Sequence, residues 1–261
     1  MVKYKNLKIG IVGSGYWGTN IIKTLEVLAI KNIYVFDLNK SQLISTKKKF
    51  PYISIINSLD NLLSLNLDCY FLVTPTGTHY NIAKKIISNS KDLFIEKPVT
   101  LSSNHILNLG KISKIQKTIL MSGYIYNYNV YLNYIKENII KKNKLGKIKY
   151  IYFERSNFCP IRNDYSCIWD LAAHDISSLI YLLDTKPRVV GGRGYDFLKK
   201  RIYDVSSIYL MSRGIDIEIK STWISPTKNR KIIIVGEYKM LSFDELDPKN
   251  KIKIYDQYAR Y

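Results

Sequence analysis

The chain has 261 residues, room for one large domain or two of ordinary size, and 46% apolar residues supply a core. Its 40 Lys and Arg against 21 Asp and Glu give a formal charge of +19, which on its own would suit nucleic acid, a membrane surface or anionic small molecules. Lysine, however, rises together with Ile, Asn and 22 Tyr, a compositional bias rather than a binding footprint, and no nucleic-acid motif accompanies it. No apolar run reaches the length of a membrane span. The opening MVKYKNLKIGIV carries no cleavage site, so a cytoplasmic chain is expected. Cys69, Cys159 and Cys167 are too few for a disulfide framework and fit no zinc spacing. Reduced thiols and no metal site are expected.

In chain order, residues 7–12 (LKIGIV) read as a buried strand, followed by GSGYWG and a helix over 19–30. Strands are predicted at 33–36, 53–56, 68–73, 93–95 and 118–122, with helices at 41–50, 59–65, 79–88 and 102–115 between them. Such alternation means a doubly wound parallel sheet. The pattern changes after Tyr124. A helix over 131–142, an alternating strand over 148–155 and a helix over 169–183 precede strands at 188–195, 206–212, 215–223, 231–236, 240–243 and 251–255. The expected fold is α/β: an N-terminal Rossmann domain over 1–123 and a C-terminal α+β domain with a mostly antiparallel sheet over 124–261.

Gly13-Ser14-Gly15-Tyr16-Trp17-Gly18 is G-x-G-x-x-G in its proper setting, after a strand and before a helix. The first glycine permits the tight turn, the second lets the backbone approach a pyrophosphate, and the third lets helix pack on strand. The free N–H groups of the helix N-terminus then face the phosphates. Asp37 closes the second strand, where a carboxylate can bind both ribose hydroxyls and repel a 2′-phosphate. NAD is therefore expected over NADP, although Lys40 nearby could tolerate the extra phosphate.

The signatures GSGYWG (13–18), TPTGTHY (74–80), EKP (96–98) and WDLAAHDIS (169–177) occur in order and on fitting elements. With them the chain resembles the glucose–fructose oxidoreductase, inositol dehydrogenase and MocA (Gfo/Idh/MocA) family of nicotinamide enzymes. The stretches STWISPTKNR (221–230) and VGEYKMLSFDE (235–245) look like a sugar-nucleotide subgroup. The resemblance implies that Lys97 lies beside the nicotinamide, where it can stabilise a developing oxyanion. It also implies a D-x-x-x-H pair, Asp170 and His174. His174 is the general-base candidate, with a reference pKa near ~6.5, and Asp170 orients it or binds substrate. Asp175 is read as structural. Cofactor contacts are expected from Gly13, Ser14, Gly15, Tyr16, Trp17, Gly18, Asp37, Thr74, Pro75, Thr76, His79, Glu96 and Lys97. Substrate contacts are expected from Tyr124, Asn127, Arg155, Arg162, Asp170 and His174, with Arg162 suited to a phosphate.

The expected activity is hydride transfer between NAD and a secondary alcohol or ketone of a sugar or sugar nucleotide, in a homo-oligomer that binds neither nucleic acid nor membrane. Members of the resembled family usually continue beyond the last strand with a further segment containing a helix, and here the sequence stops at Tyr261. A member lacking that segment is expected. The alternatives are a non-catalytic NAD-binding subunit or scaffold of shortened form and, remotely, a nucleic-acid-binding protein.

Overall fold

The computed structural model describes residues 4, 6–158 and 161–256. The chain divides into two compact units, Met1–Gly123 and Tyr124–Tyr261.

The first unit alternates strand and helix: β1 (Lys8–Val12), α1 (Tyr16–Val27), β2 (Asn32–Phe36), α2 (Lys40–Lys49), β3 (Ser54–Ile55), α3 (Leu59–Ser64), β4 (Cys69–Leu72), α4 (Thr76–Ser88), β5 (Asp92–Ile95), α5 (Ser103–Gln116) and β6 (Leu120–Ser122). All its strand pairs are parallel, in the order β3-β2-β1-β4-β5-β6. That is the dinucleotide-binding order, with its crevice at the carboxyl ends of the strands. Both faces of the sheet are covered. Ile9, Ile11, Ile22, Val35 and Leu43 pack in one cluster, and Leu72, Ala83, Ile86, Ile95 and Leu109 in another. This is why the strands read as continuous apolar runs rather than alternating ones.

Two helices start earlier than the apolar periodicity predicts, because the glycine- and threonine-rich stretches before them already wind. Helix α1 begins at Tyr16, inside the glycine motif, and α4 begins at Thr76, which brings His79 into its first turns.

The second unit contains α6 (Val130–Tyr134), β7 (Tyr150–Phe158), α7 (Ala173–Leu183), β8 (Arg188–Tyr195), β9 (Val205–Ser212), β10 (Ile215–Thr222), β11 (Ile224–Val235), β12 (Lys239–Asp244) and β13 (Ile252–Asp256). The sheet order is β13-β12-β11-β7-β10-β9-β8, antiparallel except for the parallel pair β7–β10. A π-helical turn, Ile135–Ile140, continues α6, and another, Ile168–Ala172, leads into α7. Leu132, Ile135, Leu179 and Leu182 pack with Ile151, Phe153, Ile217, Ile219, Ile232 and Phe243. By strand alternation Tyr150, Tyr152, Glu154, Tyr209, Glu218 and Ile233 belong to the opposite face. The glycine-rich stretch of β8 holds a bulge, a register shift between Val189 and Gly191.

Cys69 packs on the core of the first unit, and Cys69 and Cys167 are free thiols that burial pushes up to about 11. Cys159 lies outside the described residues. Among the described residues no helix is long and apolar enough to cross a membrane.

Candidate active site

In the first unit the candidate residues gather at the carboxyl ends of the parallel strands. Gly13 follows β1 with φ +103°, and a Cβ there would stand 2.9 Å from the Val73 carbonyl. A Cβ on Gly18 would overlap the Gly13 carbonyl oxygen. Both glycines are therefore required by the turn itself. Gly15 differs, because a Cβ on it meets no heavy atom within 4 Å. It caps α1 without a side-chain hydrogen bond, and the first turn holds no acidic residue. The open cradle, the unspent helix N-terminus and the lack of repelling charge fit a bound pyrophosphate. Tyr16 and Trp17 beside it are exposed and pack edge to face.

Asp37 stands at the end of β2. Its Oδ2 accepts from the Ser14 backbone N–H at 2.6 Å and the Ser14 hydroxyl at 2.9 Å, and Oδ1 accepts from the Asn39 N–H at 2.8 Å. The carboxylate thus braces the glycine turn. Gln42 Nε2 and the Thr46 hydroxyl donate to the Ser14 carbonyl from α2 and complete the brace.

After β4, Thr74 and Thr78 share a hydroxyl contact at 2.7 Å, and Thr76 is buried. After β5, Glu96 accepts from the Lys97 backbone N–H at 3.0 Å, ahead of the cis Lys97–Pro98 bond. Burial pushes the Glu96 carboxyl up, opposed by that N–H and by the Lys97 charge. A Cβ on Gly123, past the end of β6, would come within 3.1 Å of the Glu96 carboxylate.

His79 sits elsewhere than expected. It is 1% exposed, with Nε2 2.7 Å from the Thr74 carbonyl and Nδ1 3.1 and 3.3 Å from the carbonyls of Pro98 and Val99. Its ring is spent on tying the loop after β4 to the turn after β5, which leaves no face for a cofactor. Burial pushes its pKa down, against the pull of the three carbonyls.

In the second unit Asp170 lies in the π-helical turn ahead of α7, where its Oδ2 accepts from Trp223 Nε1 at 3.1 Å. His174 is in the first turn of α7 and half-buried, and its ring packs edge-on to Tyr126 at 5.2 Å.

Arg155, expected among the substrate contacts, is turned inward and 5% exposed. Its Nε and Nη2 donate to Asp175 Oδ1 at 3.0 and 2.7 Å, and Nη1 donates to the Tyr126 hydroxyl at 2.7 Å. That hydroxyl donates in turn to Glu245 Oε2 at 2.6 Å. Burial pushes the Asp175 carboxyl up, opposed by Arg155, while Asp175 and Tyr126 hold Arg155 protonated against its own desolvation.

Tyr124 and Asn127 line an open groove of about 890 Å³ together with Trp169, Ile176, Ser177 and Tyr181. The Asn127 side-chain oxygen accepts from the Ser177 hydroxyl at 3.0 Å. Arg162 is exposed, its guanidinium 4.9 Å from the Tyr165 ring centroid.

Sequence reasoning missed Tyr126, Trp223 and Glu245. Tyr126 is one tyrosine among 22. Trp223 and Glu245 fall inside the two C-terminal stretches that carry the subgroup likeness, and that was the only signal they gave.

Residues 7–124 match the model of an oxidoreductase family with an NAD-binding Rossmann fold. An uncharacterized oxidoreductase of Streptococcus pneumoniae is 26% identical over 160 residues, 60% of this chain and 41% of that protein. The UDP-N-acetylglucosamine 3-dehydrogenase of Acidithiobacillus ferrooxidans is 23% identical over 261 residues, 97% of this chain and 78% of its own. The alignments span 41% and 40% of the first two curated relatives, so the chain matches about two fifths of their length. The WlbA dehydrogenase from Bordetella pertussis, solved in complex with NADH and UDP-GlcNAcA, shares the fold with a TM-score of 0.88 at 18% identity, over 100% of this chain and 80% of that one. Residues 7–124 thus carry the likeness to that oxidoreductase family, and the fold is shared with a solved dehydrogenase over the whole length.

Proposed function

We propose that the chain is an NAD-dependent oxidoreductase acting on a secondary alcohol of a sugar nucleotide, or on the matching ketone. The observation that carries the reading is the cradle at Gly15, open at the N-terminus of α1 and braced by Asp37 through Ser14. Gly15 and the first N–H groups of α1 would hold the pyrophosphate against the turn that Gly13 and Ser14 form, and Asp37 would hold the ribose. Bound nicotinamide supplies the hydride acceptor or donor. His174 takes the hydroxyl proton during oxidation and returns it during reduction. The Lys97 ammonium would stabilise negative charge that develops beside the nicotinamide. Asp170, pinned by Trp223, sets the turn that carries His174. The curated relative named for UDP-N-acetylglucosamine and the solved relative bound to NADH and UDP-GlcNAcA support a sugar nucleotide.

The preference for NAD rests on Asp37, whose carboxylate is already committed to the glycine turn, so that a 2′-phosphate would meet a fixed negative charge. Fluorescence titration with NADH and NADPH tests it. NADH should bind at least about tenfold more tightly, on the scale of about 1.4 kcal/mol per decade. Asp37→Ser should narrow the gap, and equal affinities in the native chain would refute the preference. Cofactor binding without turnover on any sugar nucleotide would instead mark a non-catalytic subunit.

A homo-oligomer is proposed on the sheet of the second unit. Its helices pack on one face, and the opposite face presents Tyr209, 44% exposed, beside half-buried Tyr150, Tyr152 and Ile233.

A further inference from the structure

The second unit buries a polar chain that hydride transfer does not itself require. It runs from Asp175 through Arg155 and the Tyr126 hydroxyl to Glu245, with contacts of 2.7, 2.7 and 2.6 Å. Arg155 and Asp175 are 5% and 2% exposed, and Tyr126 is 8% exposed. The Tyr126 hydroxyl is thus held from both sides, accepting from a guanidinium and donating to a carboxylate, the strong, charge-assisted class of hydrogen bond. The Arg155 guanidinium also lies 4.4 Å from the centre of the Tyr126 ring. A ring fixed at its hydroxyl and over its face has little freedom left. The ring belongs to the core cluster and also packs against the His174 imidazole, 5.2 Å away and inclined at 63°.

We propose that Tyr126 is a positioning residue for His174, and that Glu245, just past the end of β12, reaches the imidazole through it. The polar chain converts a tyrosine of the short helical turn Ile125–Tyr128 into a rigid wall. That wall restricts the imidazole to one orientation, as a base must be held to meet a hydroxyl proton. The inference rests on the reading of His174 as the base only for its effect on turnover. The effect on the imidazole itself is independent of that reading.

Two readouts on the full-length chain separate the cases. The chain has three histidines, so its imidazole Cε1–H signals are few, and that of His174 is identified by its loss in His174→Gln. Tyr126→Leu, which removes the ring, should displace the His174 signal as the ring current is lost and lower kcat on the order of tenfold, with KM within about twofold. Tyr126→Phe keeps the ring without its anchor and should restore the ring-current part of the shift while leaving the signal broadened. Glu245→Gln, which weakens the anchor, should broaden or shift the His174 signal while the other two histidines stay in place.

If Tyr126→Leu leaves the His174 signal unmoved and only lowers the unfolding midpoint, Tyr126 is plain core and the inference is overturned. If the signal responds but His174→Gln turns over like the native chain, the positioning stands and the assignment of the base is what fails.

Discussion

Gly13 and Gly15 belong to one motif, yet the structure requires them for different reasons, and alanine at each should separate stability from cofactor binding. Gly13 has φ +103°, and its Cβ would stand 2.9 Å from the carbonyl carbon and oxygen of Val73 and 3.0 Å from the Thr74 nitrogen, all backbone atoms that cannot rotate away. The backbone strain alone is about 1–3 kcal/mol, and the clash adds to it. With a urea slope of about 1–3 kcal/mol per molar, the unfolding midpoint of the Rossmann unit should fall by roughly 1 M. Gly15 has φ −67° and ψ −159°, allowed for alanine, and its Cβ meets nothing. Gly15→Ala should therefore keep or raise stability, by about 0.4–1 kcal/mol through the stiffer unfolded chain, while NADH affinity falls. Urea unfolding followed by Trp17 fluorescence reads the first quantity, and NADH titration of the folded protein reads the second. A Gly15→Ala protein that binds NADH like the native chain would refute the pyrophosphate cradle. A Gly13→Ala protein of native stability would refute the account of the turn.

Other consequences are as definite. Arg155→Met leaves the buried Asp175 carboxylate without its partner and should cost about 3–5 kcal/mol, most of it regained in the double variant Arg155→Met/Asp175→Leu; equal midpoints for the single and double variants would contradict the pairing. Burial depresses the pKa of His79 in the folded chain, so the unfolded chain binds a proton more readily. The stability tied to His79 is present above the unfolded value of ~6.5 and is lost as pH falls toward the depressed folded value. His79→Phe should flatten the stability–pH curve in that window, and an unchanged slope would show that His79 does not titrate across unfolding. Tyr209→Glu places a charge on the open sheet face and should lower the mass measured by light scattering if that face joins copies of the chain. A native protein that is already monomeric removes that proposal.

The Rossmann half was legible in the sequence because every local signal agreed. The apolar runs of β1, β2, β4 and β5 are those of strands covered on both faces, and the glycine spacing marks a turn whose positive φ at Gly13 leaves little alternative. Helix starts were misplaced where helices begin within glycine- or threonine-rich stretches, as at Tyr16 and Thr76. In the second unit the strands and their mostly antiparallel pairing were readable from alternation, but β11 is longer than its apolar part, since Pro226, Lys228 and Arg230 extend it. Roles were legible only where residue type implies one chemistry. An arginine in a strand reads as a surface or ligand group, and only the fold shows Arg155 turned inward onto Asp175, a partner 20 residues away in sequence. His79 was conspicuous as one of three histidines, but its service to three backbone carbonyls depends on the loop after β5, which sequence spacing does not reveal.

The central claim, oxidoreduction with His174 and Lys97 in the stated roles, is tested most directly by following NADH absorbance with a UDP-linked N-acetylhexosamine and NAD in the native chain, in Lys97→Ala and in His174→Ala. The account predicts turnover in the native chain and losses of about 10²–10⁴-fold in each variant, with NADH still bound by His174→Ala. Turnover that survives both substitutions would contradict it.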